Sequence, residues 1–148
     1  MIKAIIFDYG YTIYDPEIKG FQPDAMATIK FLSDKFKLIL VSRTSDTEAR
    51  LRQIEAVGFD QLFHYIKVIK KEESKDFKDI LDFFKFKPEE FLVVGDRITS
   101  EITQGKKLGM LTCRFLYGPE KNLVPENELE TPDFTIEKLS DVIRIANL

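Results

Sequence analysis

The fold is decided by Ile2-Lys3-Ala4-Ile5-Ile6-Phe7-Asp8-Tyr9-Gly10-Tyr11-Thr12, an apolar run that ends at an acidic residue. The run predicts a buried strand over residues 2–7. In an open α/β sheet ligands bind beyond the carboxyl ends of the strands, and Gly10 lets backbone approach a bound anion. Asp8 is therefore a candidate for chemistry, although an aspartate after a strand is also common as a turn or capping residue.

The rest of the chain alternates strand patterns with helix patterns. Further apolar runs predict strands near residues 38–41, 65–69, 91–94, 111–115 and 134–136. Helical spacing predicts helices after Pro23, after Ser45 or Asp46 as far as Gly58, over 74–86, over 99–108, and from Leu139. Because right-handed crossovers place helices on both faces of a parallel sheet, we expect a three-layer α/β/α sandwich.

Composition limits the classes of function. Residues 1–148 suit one domain, and 22 basic against 25 acidic side chains give a net charge of −3, which predicts no nucleic-acid partner. The lone cysteine, Cys113, indicates a reducing compartment. The chain enters its first strand pattern directly and has no run long enough to span a bilayer, so we expect a soluble, cytoplasmic protein without a membrane partner.

Polar side chains follow four of the predicted strands, and in a parallel sheet these strand ends share one edge. Two of the four positions carry acids, Asp8 and Gly95-Asp96 with Glu101 shortly after, and the others carry hydroxyl or basic groups. Carboxylates that flank a cation, with a hydroxyl and an ammonium nearby, can bind Mg²⁺ and a phosphoryl group. The hydroxyl and basic positions are Ser42-Arg43-Thr44 and Lys70-Lys71.

These motifs, in this order along nearly the whole chain, resemble the haloacid dehalogenase-like superfamily. The segment from Ile5 to Thr12 is similar to the family's first motif, Ser42 to its phosphate-binding hydroxyl, and Val93 to Glu101 to its acidic metal motif. Lys87-Pro88-Glu89-Glu90 and Pro132 to Ile136 are also typical of the family. The resemblance implies a Rossmann-like sheet and a phosphatase that works through an aspartyl-phosphate and Mg²⁺.

The resemblance also implies a role for each matching residue. Asp8 would be the nucleophile and a metal ligand, and Ser42 would donate to the phosphoryl oxygens. Arg43 and Thr12 would contact substrate. The implied lysine that neutralises nucleophile and phosphate is Lys71, with Lys70 and Lys75 as alternatives. The remaining metal positions are Gly10 through its carbonyl, Asp96 and Glu101. Without the family context, Ser42 is equally suited to capping a helix and Glu101 to the first turn of one.

Two positions depart from the family pattern. Gly10 stands where the phosphatases usually carry a second aspartate, the general acid and base, and its loss can cost about 10²–10⁴-fold in rate. Glu101 stands where the family more often has aspartate. The first departure leaves a second hypothesis open: a catalytically weak domain that binds Mg²⁺ and a phosphorylated ligand or protein partner.

The intervals from Asp8 to Ser42 and from Ser42 to Lys71 are too short for the cap domain that many family members insert. The resemblance therefore implies the capless type, with an open site. Such members often act on macromolecules or use a partner subunit as a lid, whereas small-molecule phosphatases usually need a cap. The expected partner is therefore a phosphorylated small molecule or macromolecule, and a homo-oligomer is a further expectation. Dehalogenation is disfavoured because it needs a cap, and a receiver-type domain because Asp8 is not followed by the acidic pair such domains require.

Overall fold

The computed structural model describes all 148 residues. The chain forms eight strands and five α-helices. In order they are β1 (Ala4–Asp8), β2 (Tyr14–Asp15), β3 (Gly20–Phe21), α1 (Ala25–Ser33), β4 (Lys37–Thr44), α2 (Thr47–Ala56), β5 (Tyr65–Lys70), α3 (Lys78–Phe84), β6 (Phe91–Gly95), α4 (Thr103–Lys107), β7 (Leu111–Phe115), β8 (Phe134–Ile136) and α5 (Asp141–Ala146).

Six strands form one parallel sheet in the order β5-β4-β1-β6-β7-β8. The middle strands are apolar on both faces, and every residue of β1 and β6 is buried. This is expected of a parallel sheet covered on both sides. The strand order reverses between β1 and β6, which makes their carboxyl ends the switch point where such sheets bind ligands.

Helices cover both faces of the sheet and create two cores. The larger core packs α1, α2 and α5 against alternate sheet residues such as Phe7 and Leu40. The smaller core packs α3 against the opposite residues, including Ile6 and Val93. Helix α4 lies close to the sheet because Gly105 has no side chain: a Cβ there would lie 2.9 Å from Cγ2 of Val93.

The sequence prediction of a three-layer, mostly parallel α/β sandwich is confirmed. The strand predictions agree with the structure to within a few residues, and Asp46 caps α2 by accepting a hydrogen bond of 3.0 Å from the backbone N–H of Ala49. The helix predicted over 74–86 begins only at Lys78, after an irregular loop. The helix predicted over 99–108 begins with a π-helical turn, Ile98–Ile102, and continues as α4.

The hairpin of β2 and β3 was not predicted. Its strands have two residues each, too few to show an alternating pattern. Between Asp8 and Ser42 the chain forms this hairpin and α1 and no separate domain. No helix in the structure combines the length and the apolar character needed to cross a bilayer.

Candidate active site

Three buried carboxylates meet at the switch point of the sheet. Asp8 ends β1, Asp96 directly follows the neighbouring strand β6, and Glu101 lies in the π-helical turn after it. One oxygen from each lies within 4.8 Å of the others. Their exposed fractions are 4%, 1% and 1%, respectively. The structure thus brings together the three predicted acidic positions.

Lys75 is the cation inside this cluster. Its ammonium group contacts Asp8 Oδ1 and lies 2.8 Å from Glu101 Oε1, and its side chain is only 6% exposed. Burial alone lowers the pKa of a lysine, but the charges of Asp8 and Glu101 outweigh burial and raise the pKa of Lys75 above its ordinary value. The ammonium is therefore fully charged at neutral pH.

This placement corrects the sequence preference for Lys71. The chain continues past the end of β5, so that Lys70 and Lys71 are exposed, and it turns inward only at Lys75. Lys71 lines the cavity above the carboxylates, whereas Lys70 does not. The predicted lysine contact with Asp8 exists, but Lys75 makes it.

Glu101 is held on both oxygens. The backbone N–H of Arg97 donates to Oε2 at 3.1 Å, while Lys75 donates to Oε1. Burial and the charge of Asp8 raise the pKa of Glu101, and Lys75 opposes the rise. Gly95 makes room for this side chain, because a Cβ at Gly95 would lie 2.6 Å from Oε2 of Glu101. Glu101 therefore belongs to the carboxylate cluster, besides lying in a helical first turn.

Asp96 is destabilised in its charged form by its surroundings. Burial, followed by the charges of Asp8 and Glu101, raises its pKa to about 9. The hydroxyl of Thr12 donates to Asp96 Oδ1 at 3.4 Å. Thr12 has no exposed surface and contacts a carboxylate of the cluster, and its expected contact with substrate stays a prediction.

Ser42 lies at the end of β4, the strand beside β1, and is 1% exposed. Its hydroxyl accepts a hydrogen bond from Nη1 of Arg50 in the first turns of α2. The guanidinium of Arg50 lies 4.4 Å from the centre of the Tyr9 ring, and the Tyr9 hydroxyl donates to Gln53 Oε1 at 2.8 Å. Tyr9 and Gln53 thus fix the position of Arg50.

Sequence reasoning missed Arg50. One signal was available, because a cation near the N-terminus of a helix opposes the helix dipole and calls for a local reason. The bond to Ser42 supplies that reason. The structure thus places a guanidinium beside the hydroxyl of Ser42, and this guanidinium lines the cavity above the carboxylates.

A cavity of about 440 Å³ opens above the carboxylates. Asp8, Gly10 and Asp96 lie on its wall, and only one of the ten lining residues is hydrophobic. Half of the lining residues are basic: Arg43, Arg50, Lys71, Lys75 and Arg97. The predicted contact residue Arg43 is thus placed at the cavity. Such a cationic, polar cavity favours an anionic ligand.

Tyr11 lines the same cavity in an unusual conformation. Its φ of 60° lies in the left-handed region, and its N–H donates to the carbonyl of Tyr14 at 2.6 Å. Its side chain lies against Gly118, where a Cβ would be 3.0 Å from the Cβ of Tyr11. Non-glycine residues in this region carry backbone strain and are common at functional sites.

The carboxylate cluster fits a divalent cation. Mg²⁺ prefers carboxylate oxygens, and Lys75 neutralises only part of the negative charge of three acids. The raised pKa values of Asp96 and Glu101 report the same excess of negative charge. The three acids would hold the ion, and Gly10 lies beside them on the cavity wall.

Comparisons with known proteins agree with this geometry. The model of the family described as mitochondrial PGP phosphatase matches residues 1–115. A glyceraldehyde 3-phosphate phosphatase from Methanopyrus kandleri is 29% identical over 131 residues, covering 82% of this chain and 56% of the relative. One from Pyrococcus furiosus is 35% identical over 98 residues, covering 63% and 40%. The chain thus spans about half the length of these curated relatives, or less.

Solved structures share the fold. A haloacid dehalogenase-like hydrolase from Streptococcus pneumoniae aligns with a TM-score of 0.79 at 15% identity, covering 97% of this chain and 98% of the other. D,D-heptose 1,7-bisphosphate phosphatase from B. bronchiseptica, solved with magnesium and phosphate, aligns with a TM-score of 0.77 at 15% identity, covering 97% of each chain. With the family match over residues 1–115, these findings show that the chain belongs to the mitochondrial PGP phosphatase family, within the haloacid dehalogenase-like superfamily.

Proposed function

We propose that this protein is a Mg²⁺-dependent phosphohydrolase or phosphotransferase that acts through an aspartyl-phosphate on Asp8. The observation that carries the proposal is the contact between Lys75 and Asp8 beside two further buried carboxylates, on the wall of a cationic cavity. A carboxylate attacks a phosphate only if positive charge screens the repulsion between the two anions. Lys75 provides part of that charge inside the site.

The side chains divide the reaction between them. Asp8 attacks phosphorus as the bond to the leaving oxygen breaks, and water or an acceptor hydroxyl then takes the phosphoryl group from Asp8. Lys75 holds the nucleophile in place. Arg50, held by Ser42 and Tyr9, binds the non-bridging oxygens of the phosphoryl group, as does the hydroxyl of Ser42. Asp8, Asp96 and Glu101 would hold Mg²⁺, which would supply further charge neutralisation. Thr12 and the N–H of Arg97 fix two of these carboxylates in place.

Gly10 sets the leaving groups that this site favours. With no side chain at that position, the departing oxygen receives no proton from the residue that usually supplies it. Proton transfer of this kind contributes about 10²–10⁴-fold, so aryl and acyl phosphates should react faster than alkyl phosphates. Gly10 is also the observation that favours the second candidate, a domain that binds Mg²⁺ and a phosphorylated ligand with little turnover.

The proposed substrates are phosphorylated small molecules. The curated relatives are named glyceraldehyde 3-phosphate phosphatase, and the polar cavity suits a compact, charged substrate. A phosphorylated macromolecule as substrate and a homo-oligomer that covers the open cavity stay predictions, as does the cytoplasmic location.

Phosphate release tests the proposal. We would assay an aryl phosphate, an acyl phosphate and a sugar phosphate with and without Mg²⁺, using wild type, Asp8→Asn and the exposed control Asp82→Asn. We expect Mg²⁺-dependent release that Asp8→Asn abolishes and Asp82→Asn retains. Trapping the intermediate with hydroxylamine should label Asp8. Release no higher than that of Asp8→Asn, even from the acyl phosphate, would overturn the proposal and favour the binding domain.

A further inference from the structure

Three basic side chains at the cavity lack an acidic partner. Arg97 pairs with Glu120 at 2.7 Å and Lys75 with Asp8 and Glu101, but Arg43, Arg50 and Lys71 form no ion pair. Arg43 makes only a 3.5 Å contact with the carbonyl of Glu73, and Arg50 bonds the neutral hydroxyl of Ser42. Cations that share one cavity repel each other, so their clustering is explained by an anion that binds between them.

The charges of the site indicate how much negative charge that anion carries. The three buried carboxylates are balanced by Lys75 and one divalent cation, so Arg43, Arg50 and Lys71 remain for the substrate. A phosphate monoester carries close to two negative charges at neutral pH. One further negative charge on the substrate would complete the balance.

The positions of the three cations separate two tasks. Arg50 is bound to Ser42 and is therefore assigned to the phosphoryl group. Arg43 extends from the end of β4, and Lys71 from the loop after β5, the next strand outward in the sheet. The cavity they share, about 440 Å³, lies within the range of about 300–1,000 Å³ for small-molecule sites. It has room for more than a phosphoryl group.

We infer that the substrate is a compact phosphate ester with a second anionic group, a carboxylate or another phosphate, that Arg43 and Lys71 bind. This inference rests on the proposed function and names the substrate class of that site. Five of the ten residues that line the cavity are basic, so the cavity suits an anionic substituent. A guanidinium and an ammonium are the groups that bind carboxylate and phosphate most strongly.

Two matched pairs of probes test the inference at constant ionic strength. 3-Phosphoglycerate and glycerol 3-phosphate differ only in a carboxylate against a hydroxymethyl group, and fructose 1,6-bisphosphate and fructose 6-phosphate differ in a second phosphate. In at least one pair, we expect the member with the second anionic group to have a kcat/KM about tenfold higher or more than its partner. The double variant Arg43→Gln with Lys71→Gln should reduce that ratio to near one. Lys70→Gln, an exposed neighbour outside the cavity, should leave it unchanged.

Calorimetric binding to Asp8→Asn protein gives a readout that needs no turnover. We expect the Asp8→Asn protein to bind the probe with the second anionic group more tightly, and we expect this preference to be lost when Arg43→Gln and Lys71→Gln are added to it. That result supports the inference even if phosphate release fails. Equal kcat/KM and equal affinity within both pairs would overturn it while leaving a working phosphohydrolase intact. A preference that the double variant retains would also overturn it, since the second anion would then bind elsewhere.

Discussion

Gly10 lies two residues after the proposed nucleophile, at a position where a side chain would have free space. No heavy atom lies within 4 Å of where its Cβ would be, and its φ is not in the left-handed region. Gly10 also lines the cavity, so a longer side chain there would extend beside the substrate. Neither backbone strain nor a clash therefore opposes an aspartate at this position.

We predict that Gly10→Asp raises turnover of alkyl phosphates by about 10²-fold, because it supplies the missing proton donor. An aryl phosphate should gain much less, since its leaving group departs without a proton. Initial rates on glycerol 3-phosphate and p-nitrophenyl phosphate measure the difference. Gly10→Asn is the matched control of equal size, and an equal gain in that variant would contradict the explanation.

Lys75 and Lys71 differ in burial, and a pair of variants separates them. Lys75→Met removes the cation between Asp8 and Glu101, so in Mg²⁺-free buffer we expect a loss of about 3–5 kcal/mol in unfolding free energy. Lys71→Met, at an exposed position, should change it by less than about 0.5 kcal/mol. Urea unfolding measures both. Equal losses in the two variants would show that the contacts of Lys75 with Asp8 and Glu101 do not stabilise the fold.

The sequence predicted these residues unequally, for physical reasons. Asp8 and Asp96 each come at the end of an apolar run, and the apolar run alone is enough to predict where the strand ends. Lys75 lies in an irregular loop with Lys70 and Lys71 nearby, and the path of the loop decides which ammonium turns inward. Arg50 lies near the N-terminus of a helix, where a cation is unusual, but the helical pattern does not show that it contacts Ser42.

At the level of secondary structure, the junction of β6 with the following π-helical turn shapes the site. Gly95 ends the strand, and the Glu101 side chain occupies the space that a Cβ at Gly95 would need. Apolar runs and helical spacing predicted the strand and the helix of this unit. The π-helical turn could not be predicted, because its one-residue shift depends on where the side chain of Glu101 packs.

We expect Gly95→Ala to destabilise the protein by about 1–3 kcal/mol and to weaken Mg²⁺ binding, since the added methyl group would displace Glu101. Gly20→Ala is the control, because the nearest atom to a Cβ there is 3.9 Å away. Thermal unfolding and Mg²⁺ titration by calorimetry test both effects. Unchanged Mg²⁺ affinity in Gly95→Ala would show that Glu101 is not needed to bind the ion.

His64 fastens the start of β5 to β4 through a pair of hydrogen bonds. The backbone N–H of His64 donates to the backbone carbonyl of Leu38 at 2.8 Å, and the ring Nδ1 of His64 accepts from the backbone N–H of Leu38 at 3.0 Å. An accepting Nδ1 requires a neutral ring. Burial, and then the charge of Lys37, lowers the pKa of His64 below its ordinary value. The only histidine in the chain thus joins two neighbouring strands of the sheet.

A pH dependence of stability follows from this lowered pKa. The unfolded chain binds a proton at higher pH than the folded protein, so the contribution of His64 is complete above the unfolded pKa, near 6.5, and is lost as pH falls through the folded pKa. We predict a fall in unfolding free energy below about pH 6.5 that His64→Asn reduces, because Asn accepts the same bond without titrating. Denaturant unfolding between pH 5 and 8 measures it, and an identical slope in the variant would contradict it.

At the scale of the whole molecule, the parallel sheet is what gathers the site. Residues far apart in the chain, Asp8, Ser42 and Asp96, meet because β4, β1 and β6 are neighbours and end at the same edge. This part of the site was predictable, since alternating strands and helices fix the topology. The hairpin of β2 and β3 places Pro16 at the cavity. It was not predictable, because its two-residue strands are too short to show an alternating pattern.

Mg²⁺ should stabilise the whole fold, because an ion that binds only the folded carboxylate cluster shifts the unfolding equilibrium. At about 100 times its Kd the gain is about 2.7 kcal/mol, which corresponds to a rise in Tm of about 5–10 °C. Differential scanning calorimetry with and without Mg²⁺ measures this rise, and Asp96→Asn should abolish most of it. A full rise in Asp96→Asn would place the ion elsewhere.

The packing of Tyr11 against Gly118 has a consequence for how this sequence can change over time. Any side chain at 118 would meet Tyr11, and Gly118 itself has a φ of 83° that other residues rarely adopt. Position 118 should therefore stay glycine while an aromatic residue occupies position 11, and loss of the ring removes only one of the two constraints, because the positive φ remains. Among homologues, these two positions should show epistasis: an aromatic residue at 11 should occur only together with glycine at 118.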